Sequence, residues 1–356
     1  MITLNRNSNT TLYIFAITVC FTFAFHQTKA QSTTFKIGFG SCANANVPIP
    51  IFKLINQKKP DVFVFLGDNV YADTRNPEHM KITYSKLGNN PDYQVLTRQS
   101  NVIATWDDHD YGSNDAGRHF DFKEQSKQIF LDFFNEPVQS ERRERPGIYT
   151  SYYYQSNNKT IQVILLDTRT FRDDLIEYGG EFKNNKKFFY RLSYSPYKTA
   201  DSTLLGEAQW KWLEEELKKP ADVRVIGSSI QFGITYNGFE SWANFPHEKT
   251  RMLKLIKSTK ANGVLFISGD VHYAELSKMQ SDSLYPIFDV TSSGLTQEWK
   301  YATPNDNRLC GPVMRNNFGM LEFDFSAPDP IIRMQIWNDK NKLKICQSVR
   351  LSTLRQ

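Results

Sequence analysis

The segment Val62-Phe63-Val64-Phe65-Leu66-Gly67-Asp68-Asn69-Val70-Tyr71 opens on an unbroken apolar run and turns polar at a glycine. A run of that length without alternation reads as a strand covered on both faces, the habit of a parallel sheet with helices outside it. Gly-Asp-Asn is a turn signal, because Asp and Asn bond their own backbone and Gly accepts unusual dihedrals. Asp and Asn also carry metal-ligating oxygens. In open α/β sheets, chemistry gathers beyond the carboxyl ends of the strands.

The same grammar recurs on either side. Phe35 to Phe39 ends in Gly40-Ser41-Cys42-Ala43-Asn44, and Val102 to Thr105 ends in Trp106-Asp107-Asp108-His109-Asp110. Ile161 to Leu166 ends in Asp167-Thr168-Arg169, and Val264 to Ile267 ends in Ser268-Gly269-Asp270-Val271-His272. Val223 to Ser228, Leu284 to Val290, Gly319 to Phe325 and Ile331 to Trp337 are further strand candidates. Helical patterns lie between them at Pro50 to Lys58, Ser126 to Phe134, Glu207 to Leu217 and His247 to Ser258; in the third, Trp210, Leu213 and Leu217 share one face. Strands alternating with helices imply βαβ units. From Leu284 onward strands follow one another without helices, which suggests a two-sheet sandwich with helices outside. Asp173 to Asp201 is polar and aromatic without periodicity and reads as a long loop.

The chain has 356 residues, 40% apolar and 23% charged, which excludes a disordered protein. The net charge of +5 is diffuse, and the densest basic cluster, Glu141-Arg142-Arg143-Glu144-Arg145, is interrupted by acids; sequence-specific nucleic-acid binding is not expected. Asn5 to Asn9 are polar with one positive charge at Arg6. Leu12 to Phe25 then form an apolar run of about fourteen residues, and Thr28-Lys29-Ala30 resembles a cleavage site. The expectation is a signal peptide over 1–30, a catalytic domain over 31–356, export to the periplasm or exterior, and no membrane span in the mature chain. Of the cysteines, Cys20 leaves with the signal; Cys310 and Cys346 are candidates for a disulfide, and Cys42 stands apart by its place after a strand. Neither a Gly-x-Ser-x-Gly elbow nor a His-Glu-x-x-His motif is present, which argues against an α/β-hydrolase esterase and a zinc peptidase.

Acids brought together at strand ends repel one another and raise each other's pKa values, and a bound cation removes the conflict. Carboxylate, imidazole and thiolate are all metal donors. Two adjacent cations suit hydrolysis of a phosphoryl centre, with a carboxylate such as Asp68 between them. Arg169 offers a fork to two phosphate oxygens, or an ion pair with Asp107 or Asp167. His109 is the candidate for protonating the departing oxygen; its other reading is a histidine bonded to a neighbouring carboxylate. Asn114 and Asp115 continue the third loop toward the same site.

The ordered set Gly-Ser-Cys at 40–42, Leu-Gly-Asp-Asn-Val-Tyr at 66–71, Trp-Asp-Asp-His-Asp at 106–110, Leu-Asp-Thr-Arg at 166–169 and Ser-Gly-Asp-Val-His at 268–272 resembles the PhoD-like (alkaline phosphatase D) branch of the calcineurin-like metallophosphatases. The resemblance runs from about Ile37 to the end of the chain. It implies an α/β four-layer αββα sandwich of two mixed sheets flanked by helices. It implies a phosphomonoesterase or phosphodiesterase with iron and calcium, where other metallophosphatases use iron, zinc or manganese pairs. By motif, Asp68 bridges, Cys42 and Tyr71 bind the iron side, Asp107 or Asp108 binds the calcium side, and Asp270 and His272 complete the shell. Asn69 and Asn114 are substrate-side candidates. A catalytically silent cell-surface binding protein on the same fold is the rival; it predicts degraded ligands, and Cys42, Asp68, Tyr71, Asp270 and His272 are all in place. Residues 173–201 and 236–246, the latter with Tyr236, Phe239, Trp242 and Phe245, are candidates for closing the site.

Overall fold

The computed structural model describes residues 33–180, 192–281 and 283–356. The expected signal segment and the middle of the 173–201 loop lie outside them. In chain order the strands are β1 (Thr34–Gly40), β2 (Val62–Leu66), β3 (Asn101–Thr105), β4 (Thr150–Ser156), β5 (Lys159–Leu165), β6 (Ile176–Glu177), β7 (Tyr194–Ser195), β8 (Val223–Ser228), β9 (Val264–Ser268), β10 (Ala274–Ser281), β11 (Leu284–Ser292), β12 (Arg308–Val313), β13 (Asn317–Asp324), β14 (Ile331–Asn338) and β15 (Leu343–Arg350). The helices are α1 (Ile51–Lys58), α2 (Pro77–Gly88), α3 (Pro91–Gln99), α4 (Asp108–Tyr111), α5 (Lys123–Phe133), α6 (Glu141–Glu144), α7 (Gly206–Lys218) and α8 (Pro246–Ser258).

The strands form two large mixed sheets, β15-β14-β13-β1-β2-β3 and β12-β10-β11-β9-β8-β5-β4, plus the small β6–β7 hairpin. In the first, β1, β2 and β3 run parallel; in the second, β5, β8, β9 and β11 do. The expected two-sheet α/β sandwich is the architecture found.

The strand β2 shows why its sequence lacks alternation. Val62, Val64 and Leu66 enter the core between the sheets with Val163, Leu165, Val225 and Ile267. Phe63 and Phe65 point the other way, into a second core with Phe52 of α1, Leu87 of α2 and Tyr93 of α3. Both faces are covered, so both sets must be apolar. Each buried side chain contributes about 1.5–3 kcal/mol relative to exposure. The sheets are also tied together at their carboxyl ends: Thr105 Oγ1 donates to Leu166 O at 2.7 Å and Trp106 Nε1 to Asp167 Oδ1 at 3.0 Å. These bonds bring the loops of the two sheets to one place.

One expectation is corrected. Cys310 and Cys346 are both free thiols, the first half-buried and the second exposed. Cys310 lies on β12, an edge of one sheet, and Cys346 on β15, an edge of the other, so no shared ladder holds them face to face.

Candidate metal centre and active site

Each strand end turns abruptly. Cys42, Asp68, Asp270 and His272 take φ values of 63°, 50°, 74° and 56°, the left-handed region that residues bearing a Cβ rarely enter. These are the expected donors; other residues with a positive φ, such as Lys59 at the end of α1 and Asn157 and Lys260 in turns, lie elsewhere in the chain. Gly67, at φ 98°, allows the second loop to lie against the third: a Cβ there would stand 2.4 Å from Asp107 Cβ. That closeness lets the His109 N–H donate to Asp68 Oδ1 at 3.3 Å.

Among the described residues three candidate ligand groups result. Cys42, Asp68 and His272 offer donor atoms that all lie within 4.8 Å of one another, and so do Asp68, Asp108 and His109. Asp68 belongs to both of these, and the third group, Asp108, Asp115 and Glu240, shares Asp108 with the second. Cys42 Sγ is 3.4 Å from Asp68 Oδ2 and 3.1 Å from Ser293 Oγ, and Tyr71 Oη is 3.2 Å from His272 Nε2. Burial drives the Asp68 carboxyl far up, and the charges of Asp108, Asp107, Asp110 and Asp270 drive it further. Asp270 is raised by burial and then by Asp107, Glu240 and Asp108. The Cys42 thiol is raised by burial and by Asp68. His272 is pushed down to about 4 by burial and by His109, which keeps its imidazole neutral and able to ligate.

This donor set fits metal. Burial and mutual repulsion push Asp68 and Asp270 toward the protonated form, a conflict that a bound cation would remove. Asp108 Oδ1 is buried without a hydrogen-bond partner, and its nearest guanidinium nitrogen, on Arg169, is 3.8 Å away. Cys42 and His272 offer sulfur and nitrogen on one side of Asp68, and Asp108 offers a second carboxylate on the other, so the two groups differ in donor chemistry.

The structure separates Asp107 from Asp108. Asp107 faces inward: its Oδ1 accepts from Arg169 Nε at 2.6 Å and from Ser229 Oγ at 2.7 Å. Burial lifts it to about 7 even though Arg169 opposes this. Asp108 lines the cavity and shares a ligand group with Asp68. Burial pushes Asp108 up, but Arg169, His109 and the Asp115 N–H outweigh it and leave the carboxyl low. Of the two roles open to Arg169, the geometry carries the ion pair. Arg169 is fully buried, and its guanidinium also holds Glu240 at 2.5 Å. Arg172 grips the other Glu240 oxygen at 3.2 Å. Asn69 is likewise buried, with its amide donating to Thr105 O at 2.8 Å and to Asp110; it braces the third loop and does not line the cavity.

His109 does line the cavity. Its Nδ1 meets Asp73 at 2.8 Å and its ring lies 4.2 Å from that of Tyr71. Burial alone would lower the pKa, but the bond to Asp73 and the charges of Asp108 and Asp73 win and lift it to about 9. Asn114 and Asp115 also face the cavity, which measures about 280 Å³. Tyr194, at the described foot of the long loop, donates its hydroxyl to Asp115. Of the aromatic residues at 236–245, Trp242 and Phe245 are core residues and Tyr236 bonds Tyr194 O at 2.5 Å; Phe239 alone of the four lines the cavity. Sequence reasoning missed Asp73, Glu240, Ser293 and Trp299. Glu240 had a signal, an acid set among aromatics in Gly238-Phe239-Glu240-Ser241-Trp242. Trp299 had none.

Known proteins resemble this chain in sequence and in fold. Alkaline phosphatase D of Bacillus subtilis (strain 168) is 27% identical over 290 residues, 68% of this chain, and the chain spans 45% of that protein's length. A solved structure of PhoD superposes with a TM-score of 0.67 at 16% identity, covering 90% of this chain and 69% of the other. A dimetal phosphatase from Danio rerio gives 0.51 at 14% identity, with 89% and 98% covered. At those identities the two structures speak for the fold. A profile described as PhoD-like phosphatase matches residues 37–304, and on that match the chain belongs to the PhoD-like phosphatase family.

Proposed function

We propose that this chain is a metal-dependent phosphoesterase, exported by a signal peptide over 1–30 and catalytic over 31–356. The observation that carries the reading is Asp68, which belongs with Cys42 and His272 in one candidate ligand group and with Asp108 and His109 in another. Cys42, Tyr71 and His272 with Asp68 would hold one cation, which suits iron; Asp108 with Asp68 would hold the other, which suits calcium. Asp270 joins them from the loop after β9. A zinc or manganese pair is the other possibility for this donor set. When bound, the metals supply Lewis-acid activation of the phosphoryl oxygens and of the attacking water.

The chain's own residues do the rest. His109, whose imidazole Asp73 and Asp108 hold toward the protonated form, faces the cavity and would deliver its proton to the departing oxygen. The ring of Tyr71 against His109 fixes the plane of the imidazole. Arg169 would act at a distance, holding Asp107 and Glu240 so that the third loop and the 236–245 segment keep their places. The substrate is a phosphate monoester or diester, small or polymeric.

The test is metal analysis of the purified protein, paired with hydrolysis of an aryl phosphate and a bis-aryl phosphate. Bound iron and calcium with chelator-sensitive turnover supports the reading, and the ratio of the two rates assigns monoester or diester preference. A protein that takes up no metal overturns it.

A further inference from the structure

Phe239 and Trp299 come from distant segments and meet at the cavity, with ring centroids 4.7 Å apart at 61°. Both are half-buried, so each shows a face to the cavity. Each is also fixed from its backbone. The Phe239 N–H donates to Asn237 Oδ1 at 2.9 Å, and the next residue is Glu240, clamped between Arg169 and Arg172. The Trp299 N–H donates to His272 O at 2.9 Å, and its ring lies 6.3 Å from the imidazole of His272. Val271 extends the apolar surface. The rest of the wall carries carboxylates, the two histidines and polar groups, with Tyr194 turning its hydroxyl to Asp115. A rigid aromatic corner in an otherwise polar cavity recognises a flat apolar group at little entropic cost.

We propose that Phe239 and Trp299 form a subsite for a planar aromatic arm of the substrate, beside the donor His272. The proposal rests on the phosphoesterase reading above and names the class of ester the site prefers. Wall-forming by Phe239 alone would leave the arm one contact; the perpendicular pair gives it a face and an edge, an arrangement that adds to simple burial.

The experiment compares 2-phenylethyl phosphate with ethyl phosphate, whose leaving alcohols are close in acidity, each as a monoester and as its methyl diester. The expected result is a kcat/KM about tenfold or more higher for the phenylethyl ester of whichever class is turned over. Trp299→Ala and Phe239→Leu should each lower the phenylethyl rate several-fold more than the ethyl rate, mostly through KM. No preference in the unaltered enzyme, or equal losses on both esters in both variants, overturns the proposal while leaving the phosphoesterase reading intact. If metal-replete protein turns over none of the esters, the phosphoesterase reading fails. Calorimetry with 2-phenylethylphosphonate and ethylphosphonate then decides the subsite: tighter binding of the aromatic phosphonate, abolished in Trp299→Ala, supports it, and equal binding overturns it.

Discussion

Gly67 packs against Asp107 so closely that a methyl group on it would stand 2.4 Å from the Asp107 Cβ and 2.7 Å from its main-chain nitrogen. Gly67→Ala therefore pays twice, once for the left-handed backbone at φ 98° and once for forcing the second and third loops apart. The expected outcome is a loss of at least about 1–3 kcal/mol in urea unfolding, with metal content falling as well. Unchanged metal stoichiometry in a destabilised variant would separate the two loops from the site.

Asp68→Ala removes the shared carboxylate. Metal content and turnover should fall together, by more than the roughly 10–100-fold seen when only outer-shell partners of a ligand are removed. Elemental analysis alongside kinetics reads this directly, and full activity without metal would break the link.

His109→Ala should slow hydrolysis about 10²–10⁴-fold for alkyl leaving groups and much less for nitrophenol, which needs no proton. Because Asp73 holds the imidazole pKa up, to about 9, the donor proton persists into the alkaline range and is lost as pH rises through that value. Asp73→Asn should therefore move the alkaline limb of kcat to lower pH. A pH profile that does not move in Asp73→Asn would remove His109 from the proton path.

Arg169→Met leaves Asp107 and Glu240 buried without their common partner. Breaking such a pair costs about 3–5 kcal/mol, so cooperative unfolding should occur at markedly lower urea. The double change Arg169→Met with Glu240→Gln should recover part of that loss. If Arg169 touched phosphate instead, the single variant would show a large rise in KM at nearly unchanged stability.

Much of this was legible because apolar runs ending in polar clusters are an unusual pattern. Val62–Leu66 and Val223–Ser228 have the boundaries the sequence suggested; Cys42, Asp68 and His272 share one ligand group, and Asp68, Asp108, Asp270 and His272 line one cavity. The β10 and β15 strands escaped because they are edge or near-edge elements with mixed polarity, as in Ala274–Ser281 and Leu343–Arg350. The α2 and α3 helices could have been read: Asn76-Pro77 and Asn90-Pro91 each place a capping amide before a first-turn proline, and both caps form. Asp107 and Asp108 were inseparable in sequence because adjacent residues at a turn differ only in which way they face. The partnership of Phe239 with Trp299 depends on packing between segments far apart in the chain, which no local pattern records.

The donors also have an order in time. Cys42, Asp68, Tyr71, Asp108 and His109 belong to the first third of the chain, whereas Asp270 and His272 come after three quarters of it, and β1 gains its second neighbour only with β13. On the reading proposed above, a nascent chain would thus present an incomplete set of donors. Metal loading would then be a property of the finished fold, set by the ions available where folding is completed.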